Sequence, residues 1–286
     1  MEVIESLPST APTDHYHISL DTHNKVQLRQ WLKKNEADPA LRVSTSLSSV
    51  FLTETIEFWF QDFLPRLKNH LLSRLLGHKY DGDELPFTSS ERRTVIIDSD
   101  IIYRHKVLRI NYTTYDLRRE QDSLNPRLPD HANIMVLSPE NEKENDDPHP
   151  YWYARILGIY HANIRHIGPG SNSPEPQQMD FLFVRWFGRE PDPKPGWKAK
   201  RLIRLGFVPG NDGSAFGFLD PAQVIRAVHL IPAFRWGRVT TKYLPQSQIA
   251  RGIKDPDTDW QLFYVAMYES LFLYLDLCSV FLAQVF

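Results

Sequence analysis

Two segments, HPYWYARILGIYHANIRH (149–166) and MDFLFVRWFG (179–188), set the terms on which this chain can fold. Both are dense in aliphatic and aromatic residues, and both read with the two-residue period of a strand. In the first, Trp152, Ala154, Ile156, Gly158 and Tyr160 fall on one face, and Tyr151, Tyr153, Arg155, Leu157 and Ile159 on the other. In the second, Leu182, Val184 and Trp186 alternate with Phe181, Phe183, Arg185 and Phe187. Neither face of either segment is wholly polar. Each is therefore expected to be a central strand, or one curling between two layers. Gly158 and Gly188 are natural places for a bulge or a close backbone approach. The expected core includes Trp152, Ile156, Val184, Trp186 and Ile231.

Further strands are predicted at 94–97, 106–115, 133–137 and 223–231, joined by polar connections such as PENEKENDDPHP and GPGSNSPEPQQ. Many short strands punctuated by turn residues indicate a small antiparallel barrel or sandwich. Before residue 82 the period is helical instead. Val26, Leu28, Trp31 and Leu32 can gather on one side of a helix within 23–41, with Pro39 near its end. Leu64, Leu67, Leu71, Leu72, Leu75 and Leu76 hold helical spacing over 62–77, and Gly77 is a natural stop. That leucine stripe reads as a core or docking face. The expected class is thus α+β: a leader at 1–15, a helical segment at 16–82, a β-barrel at 94–250 and an apolar tail at 262–286.

The tail, LFYVAMYESLFLYLDLCSVFLAQVF, contains Glu269 and Asp276. A membrane span needs about 20 apolar residues, and each acid costs roughly 2.5–3.5 kcal/mol near the bilayer centre. Membrane insertion is therefore not expected. The N-terminus lacks the basic start and apolar core of a secretory signal.

Composition narrows the chemistry. The net charge of −2 provides no global attraction for nucleic acid, so any such attraction must be local. With Cys278 as the one cysteine, the chain cannot build a disulfide framework or a cysteine-based zinc site. His149, His161 and His166 have no cysteine or carboxylate pair at a ligand spacing, and read as solvated or hydrogen-bonded histidines. The sequence has no G-x-S-x-G elbow and no P-loop lysine, and the acidic run 140–147 lacks a calcium-loop pattern. No catalytic group, metal or cofactor is expected. Between 151 and 210, nine Lys and Arg stand against four acids. Lys194, Trp197, Lys198, Lys200, Arg201 and Arg204 are the candidate nucleic-acid-binding residues, the cations for phosphate and the tryptophan for stacking. The plain alternative is a solvated basic face.

INYTTYDLRREQDSLNPR, HPYWYARILGIYHANIRHIGPGS, MDFLFVRWFGREPDPKPGWKAKRLIRLGFV, GSAFGFLDPAQVIRAVHLIPAF and DTDWQLFYV together resemble the C-terminal region of Plavaka-type transposases. These proteins are encoded by cut-and-paste DNA transposons of mushroom-forming fungi. DPAL and DFLPRLKNHLLSRLLGHKYDGDE fit the same region, so the likeness covers most of 16–265. In that family the zinc-finger and catalytic portions lie upstream. The family also continues past the tyrosine-valine stub into a motif like VDRDMFMRYRGGGVGH, where this chain has AMYESLFLYLDLCSVFLAQVF. RVSTSLSSVFLTETIEFWFQ likewise interrupts a segment that is otherwise continuous. Residues 43–60 and 266–286 are read as translated introns or products of decay.

The order of IMVLS, an acidic loop, HPYWYARILGIY, FLFVRWFGREPD and DPAQVIRAVHLIP is similar to a BAH-type chromatin module, a β-barrel for nucleosome or protein contact. Together the two resemblances imply a nuclear, non-catalytic accessory region of a DNA transposon protein. It would contact DNA, chromatin or another transposase domain. Two alternatives stand beside it. One is a protein-interaction barrel reading histone or other peptides, with an aromatic cage suited to methyl-lysine. The other is a decayed fragment without function. A strand-transfer enzyme would need carboxylates gathered around two metal ions.

Overall fold

The computed structural model describes residues 15–41, 63–78, 87–113, 119–138, 149–168, 175–190, 202–239, 244, 247–251 and 258–266. Fourteen strands run through these residues: β1 (Tyr16–Ile18), β2 (Lys25–Gln27), β3 (Val95–Ile97), β4 (Ile101–His105), β5 (Leu108–Thr113), β6 (Arg119–Leu124), β7 (Asn133–Leu137), β8 (Tyr151–His166), β9 (Gln177–Arg189), β10 (Arg204–Phe207), β11 (Phe216–Leu219), β12 (Val224–Ala227), β13 (Leu230–Pro232) and β14 (Phe263–Val265). The helices are few and short: α1 (Leu28–Lys34), α2 (Phe63–Leu75) and α3 (Ser89–Arg93). The chain is mostly β. Seven strands, in the order β12-β7-β8-β9-β10-β14-β13, form a curled antiparallel half-barrel. β11 pairs with β9, β3 and β4 with β8, and β2 with β4, while β1-β5-β6 make a small separate sheet.

β8 organises the half-barrel because it is long enough to serve several partners. Its first half pairs with β7 (Ile134↔Ala154) and its second half with β4 (Tyr103↔His161) and β3 (Ile96↔Arg165). β9 runs antiparallel beside it from Tyr153 to Ile164. The pairing slips between Ile156 and Gly158, as the glycine led us to expect. A bulge adds one residue and reverses the alternation beyond it. Trp152, Ala154, Ile156 and then Ile159 consequently share one core, while Leu157, Tyr160, Ala162 and Ile164 face another. This corrects the uninterrupted alternation, which placed Tyr160 with Ile156 and Ile159 opposite them. The glycine is required by close approach, since a Cβ on residue 158 would sit 2.3 Å from the Tyr160 ring.

Both faces of β9 are buried, as its apolar pattern requires. Phe181 and Phe183 join Phe216, Phe218 and the helical residues Leu28, Leu67, Leu71 and Leu72 in one core. Leu182, Val184 and Trp186 meet Ile110 and Leu124 of the small sheet in a second. Phe187 enters a third with Phe207, Tyr153 and Phe263. The leucine stripe of α2 is therefore core: Leu64 and Leu75 pack against the first cluster, and Leu76, past the helix, is exposed. Gly77, at φ +73°, ends α2 in a Schellman motif, with His78 N–H donating to the Ser73 carbonyl and Gly77 N–H to that of Arg74.

Three expectations are corrected by pairing. Helix 23–41 shrinks to α1 because Lys25–Gln27 pair with β4 as a strand, although Val26, Leu28, Trp31 and Leu32 do cluster. The strand expected at 223–231 breaks into β12, paired with β7, and β13, paired with β14. Ile231 is not core. It is 39% exposed, because alternation in β13 turns its neighbour Leu230 inward. Among the described residues no helix is long and apolar enough to cross a membrane. The interruption at 43–60 and the tail beyond 266 lie outside the described residues.

The bulge yields a stability test. Gly158→Ala should lower stability by about 1–3 kcal/mol through overpacking. A Tyr160→Leu background should relieve part of that loss, read as non-additivity in urea denaturation of the double variant.

Candidate nucleic-acid interface

Arg185 lies on β9, only 1% exposed, inside the half-barrel. A guanidinium there needs a counter-charge, and Asp259 supplies it: Arg185 Nη2 donates to Asp259 Oδ2 at 2.9 Å. Arg251 donates to both oxygens of the same carboxylate, Nη1 to Oδ1 at 2.6 Å and Nη2 to Oδ2 at 3.1 Å. The Phe207 ring lies 3.8 Å from the Arg185 guanidinium carbon. Burial lowers the Arg185 pKa, and Asp259 opposes that shift. Position 259 is thereby fixed, and the backbone around it forms a short ladder. Val239 N–H donates to the Asp259 carbonyl at 2.8 Å, Gln261 N–H to that of Gly237 at 3.1 Å, and Arg238 pairs with Trp260.

On this ladder stands the surface formed by FRWGR. Phe234–Trp236 form a single tight turn, and Gly237 leaves it at φ +70°. Phe234 is 70% and Trp236 42% exposed, and Arg235 and Arg238 are also exposed. The Arg238 guanidinium lies over the Trp260 ring at 4.2 Å, and Phe234 meets that ring edge-on at 5.2 Å. Ile231 and Leu202 add exposed apolar area.

Of the six residues predicted from sequence, Arg204 lies within the described residues. Lys194, Trp197, Lys198, Lys200 and Arg201 lie outside them. Arg204 begins β10 and is mostly covered. Its Nη2 is 3.3 Å from Glu190 Oε2, and its guanidinium carbon is 5.5 Å from the centre of the Trp236 ring. Glu190 N–H also donates to the Arg204 carbonyl at 3.0 Å. Arg204 thus clamps the base of the basic connection and joins it to the FRWGR surface. Phe234, Arg235, Trp236, Arg238 and Trp260 were missed by sequence reasoning. Their signal is the interleaving of basic and aromatic residues in FRWGR.

An aromatic cluster of the kind that receives cations exists, but the chain fills it itself. The Arg155 guanidinium carbon is 5.8, 4.9 and 5.8 Å from the ring centres of Phe187, Phe207 and Phe263, and Arg155 Nε donates to Asn133 Oδ1 at 2.9 Å. The three histidines of 149–166 occupy separate settings. His149 Nδ1 is 2.8 Å from the Tyr151 carbonyl, His161 shares a 2.7 Å hydrogen bond with His105, and His166 is buried on β8. Among the described residues no group of three His, Cys, Asp or Glu converges as a ligand set.

A cleft of about 920 Å³ opens between α2, β1, the start of β9 and the turn at 220–223. Arg74 Nη1 donates to the Asp180 carbonyl at 2.6 Å, and its Nη2 is 2.8 Å from Asp220 Oδ2. Tyr16 O–H donates to Asp180 Oδ2 at 3.2 Å. Burial, reinforced by Asp180 and Asp220, raises the Tyr16 pKa and keeps its hydroxyl protonated. Burial, then Arg74, pushes His70 down to about 3, so its ring is neutral at physiological pH. The cleft is a set of already partnered charges tying the helix to the sheet. Comparison with known proteins gives no match to any family model, curated protein or solved structure.

The site predicts two stability effects. Asp259→Ala strands two buried guanidiniums and should cost about 3–5 kcal/mol. Arg251→Met leaves the Arg185 pair intact and should cost clearly less in the same denaturation assay. His70 supplies a pH effect. Because its folded pKa lies below the unfolded 6.5, the unfolded chain binds the extra proton. The His70 contribution is complete above about pH 6.5 and declines as pH falls toward 3. His70→Leu should flatten the slope of unfolding free energy against pH in that window.

Proposed function

We propose that this chain is a non-catalytic DNA-binding region of a DNA transposon protein acting in the nucleus. Its scaffold is a BAH-like barrel. The contact surface is FRWGR together with the basic connection from Lys194 to Arg204. The observation that carries this reading is the packing of Arg204 against Trp236, which sets the base of the basic connection beside exposed Phe234, Arg235 and Trp236. Between Glu190 and Arg204 the sequence holds Lys194, Lys198, Lys200 and Arg201 against Asp192. Cations on such a connection meet phosphates, and open aromatic faces stack on bases. The resemblance of the same segments to the C-terminal region of Plavaka-type transposases, and of the β7–β9 order to BAH modules, supports the reading. Several described arginines are met by acids of the fold and the net charge is −2, so attraction to DNA has to be local.

Fluorescence anisotropy with single-stranded and duplex oligonucleotides tests this. Affinity for DNA should fall steeply with added salt. Trp236→Ala should weaken single-stranded binding by about 1–3 kcal/mol if a base stacks there. Neutralising Lys198, Lys200, Arg201 and Arg235 should reduce the salt slope as well as the affinity. Absence of binding to either oligonucleotide at low salt defeats the proposal.

A further inference from the structure

A hollow of about 230 Å³ opens where β2, the end of β4 and the turn 125–127 meet. Its lining carries Lys25, Arg104, Lys106 and Arg127, with no carboxylate among the described lining residues. The backbone brings these four cations together from three places in the sequence. Lys25 pairs with Tyr103, and Arg104 N–H donates to the Asn24 carbonyl at 3.0 Å, so Lys25 and Arg104 become neighbours. Arg104 and Lys106 flank His105; both are exposed, while His105 turns inward. Leu108 pairs with Leu124, which sets the chain just before β5 beside the chain just after β6. There Asn125 Oδ1 accepts the Arg127 N–H at 3.0 Å and the Asn125 carbonyl accepts the Leu128 N–H at 3.0 Å, a tight turn that holds Arg127 in place.

Several other cations of the fold are met by acids. Arg29, Arg74, Arg165, Arg226 and Arg251 each hold an aspartate: Asp100, Asp220, Asp98, Asp122 and Asp259. Among the described residues Lys25, Arg104, Lys106 and Arg127 form no ion pair. Like charges gathered at one concavity repel, and an anion between them relieves the repulsion. Guanidinium forks and lysine ammoniums suit a phosphate, whose oxygens accept several charge-assisted hydrogen bonds at once. We propose that this hollow is a binding site for a phosphate group, held by Lys25, Arg104, Lys106 and Arg127. The phosphate belongs either to a nucleic-acid backbone or to a small phosphorylated molecule. The site does not depend on the FRWGR surface, which lies at the β13–β14 end of the sheet path while this hollow lies beside β2 and β4.

His105 is a built-in reporter, since it is one of the residues lining the hollow and its ring shares a 2.7 Å hydrogen bond with His161. The test is an NMR titration of the full chain with inorganic phosphate, with ionic strength held constant by chloride. Saturable shifts are expected at the His105 ring and at the amides of Lys25, Lys106 and Arg127. Arg104→Gln combined with Lys106→Gln, both exposed and so harmless to folding, should weaken phosphate binding by about tenfold or more. Arg104→Lys alone should retain most of it. A short single-stranded oligonucleotide that displaces phosphate at these resonances identifies a backbone phosphate. A sugar monophosphate that saturates them, with the oligonucleotide silent, identifies a small ligand. Linear, unsaturating shifts that are the same in the double variant overturn the site. The inorganic-phosphate titration uses no DNA, and Trp236→Ala should leave it unchanged. Failure here and failure of the DNA reading are therefore separate results.

Discussion

Burying a guanidinium is among the most costly things a fold can do, and this one buries two against a single carboxylate. Removing Arg185 from water is unfavourable by several kcal/mol unless its charge is met. Asp259 meets it and Phe207 covers the remaining face. Because Asp259 lies far along the chain from β9, the pairing has long reach: it places β14, the 237–239 ladder and hence Trp260 and Trp236. The end of the half-barrel that carries the basic and aromatic surface is in this sense an electrostatic construction, where the first two cores are apolar ones.

The second constraint is the length of β8. A strand of ordinary length serves one core on each face. By slipping register at Gly158, β8 serves the core between the two sheets on both sides of the slip and still presents Leu157, Tyr160 and Ile164 to the helices. α2 shares that core with Phe181, Phe183 and Phe218. Arg155, on the segment before the slip, points the opposite way from Ile156 and enters the phenylalanine cluster with Asn133 as its partner.

Much of the fold could be read from sequence, and the reasons are local. Period placed strands at 133–137, 151–162 and 180–187 because these runs are apolar and bounded by turn residues; the last two extend in the structure to Tyr151–His166 and Gln177–Arg189. Gly77 and Gly158 were legible because few other residues satisfy what their positions demand. Strands such as Arg119–Leu124 and Phe216–Leu219 were not. REQDSL is polar and is a strand only because β5 pairs with it, and FGFL is too short to show a period. Ile231 looked like core because it is isoleucine, but an edge strand turned it outward. The candidate interface was half legible. Composition found the basic run, whereas the approach of FRWGR depends on an ion pair between residues 185 and 259, a separation no periodicity reports.

The clamp between Glu190 and Arg204 has an evolutionary consequence. Because the two ends of the intervening connection are held side by side by the ladder and the ion pair, the closure is already set by the sheet. Lengthening such a connection adds only about 0.6 kcal/mol per doubling of its length. Residues 191–201 can therefore change in number and sequence while the half-barrel stays as it is. That makes it a place where the surface can be rewritten without refolding the protein.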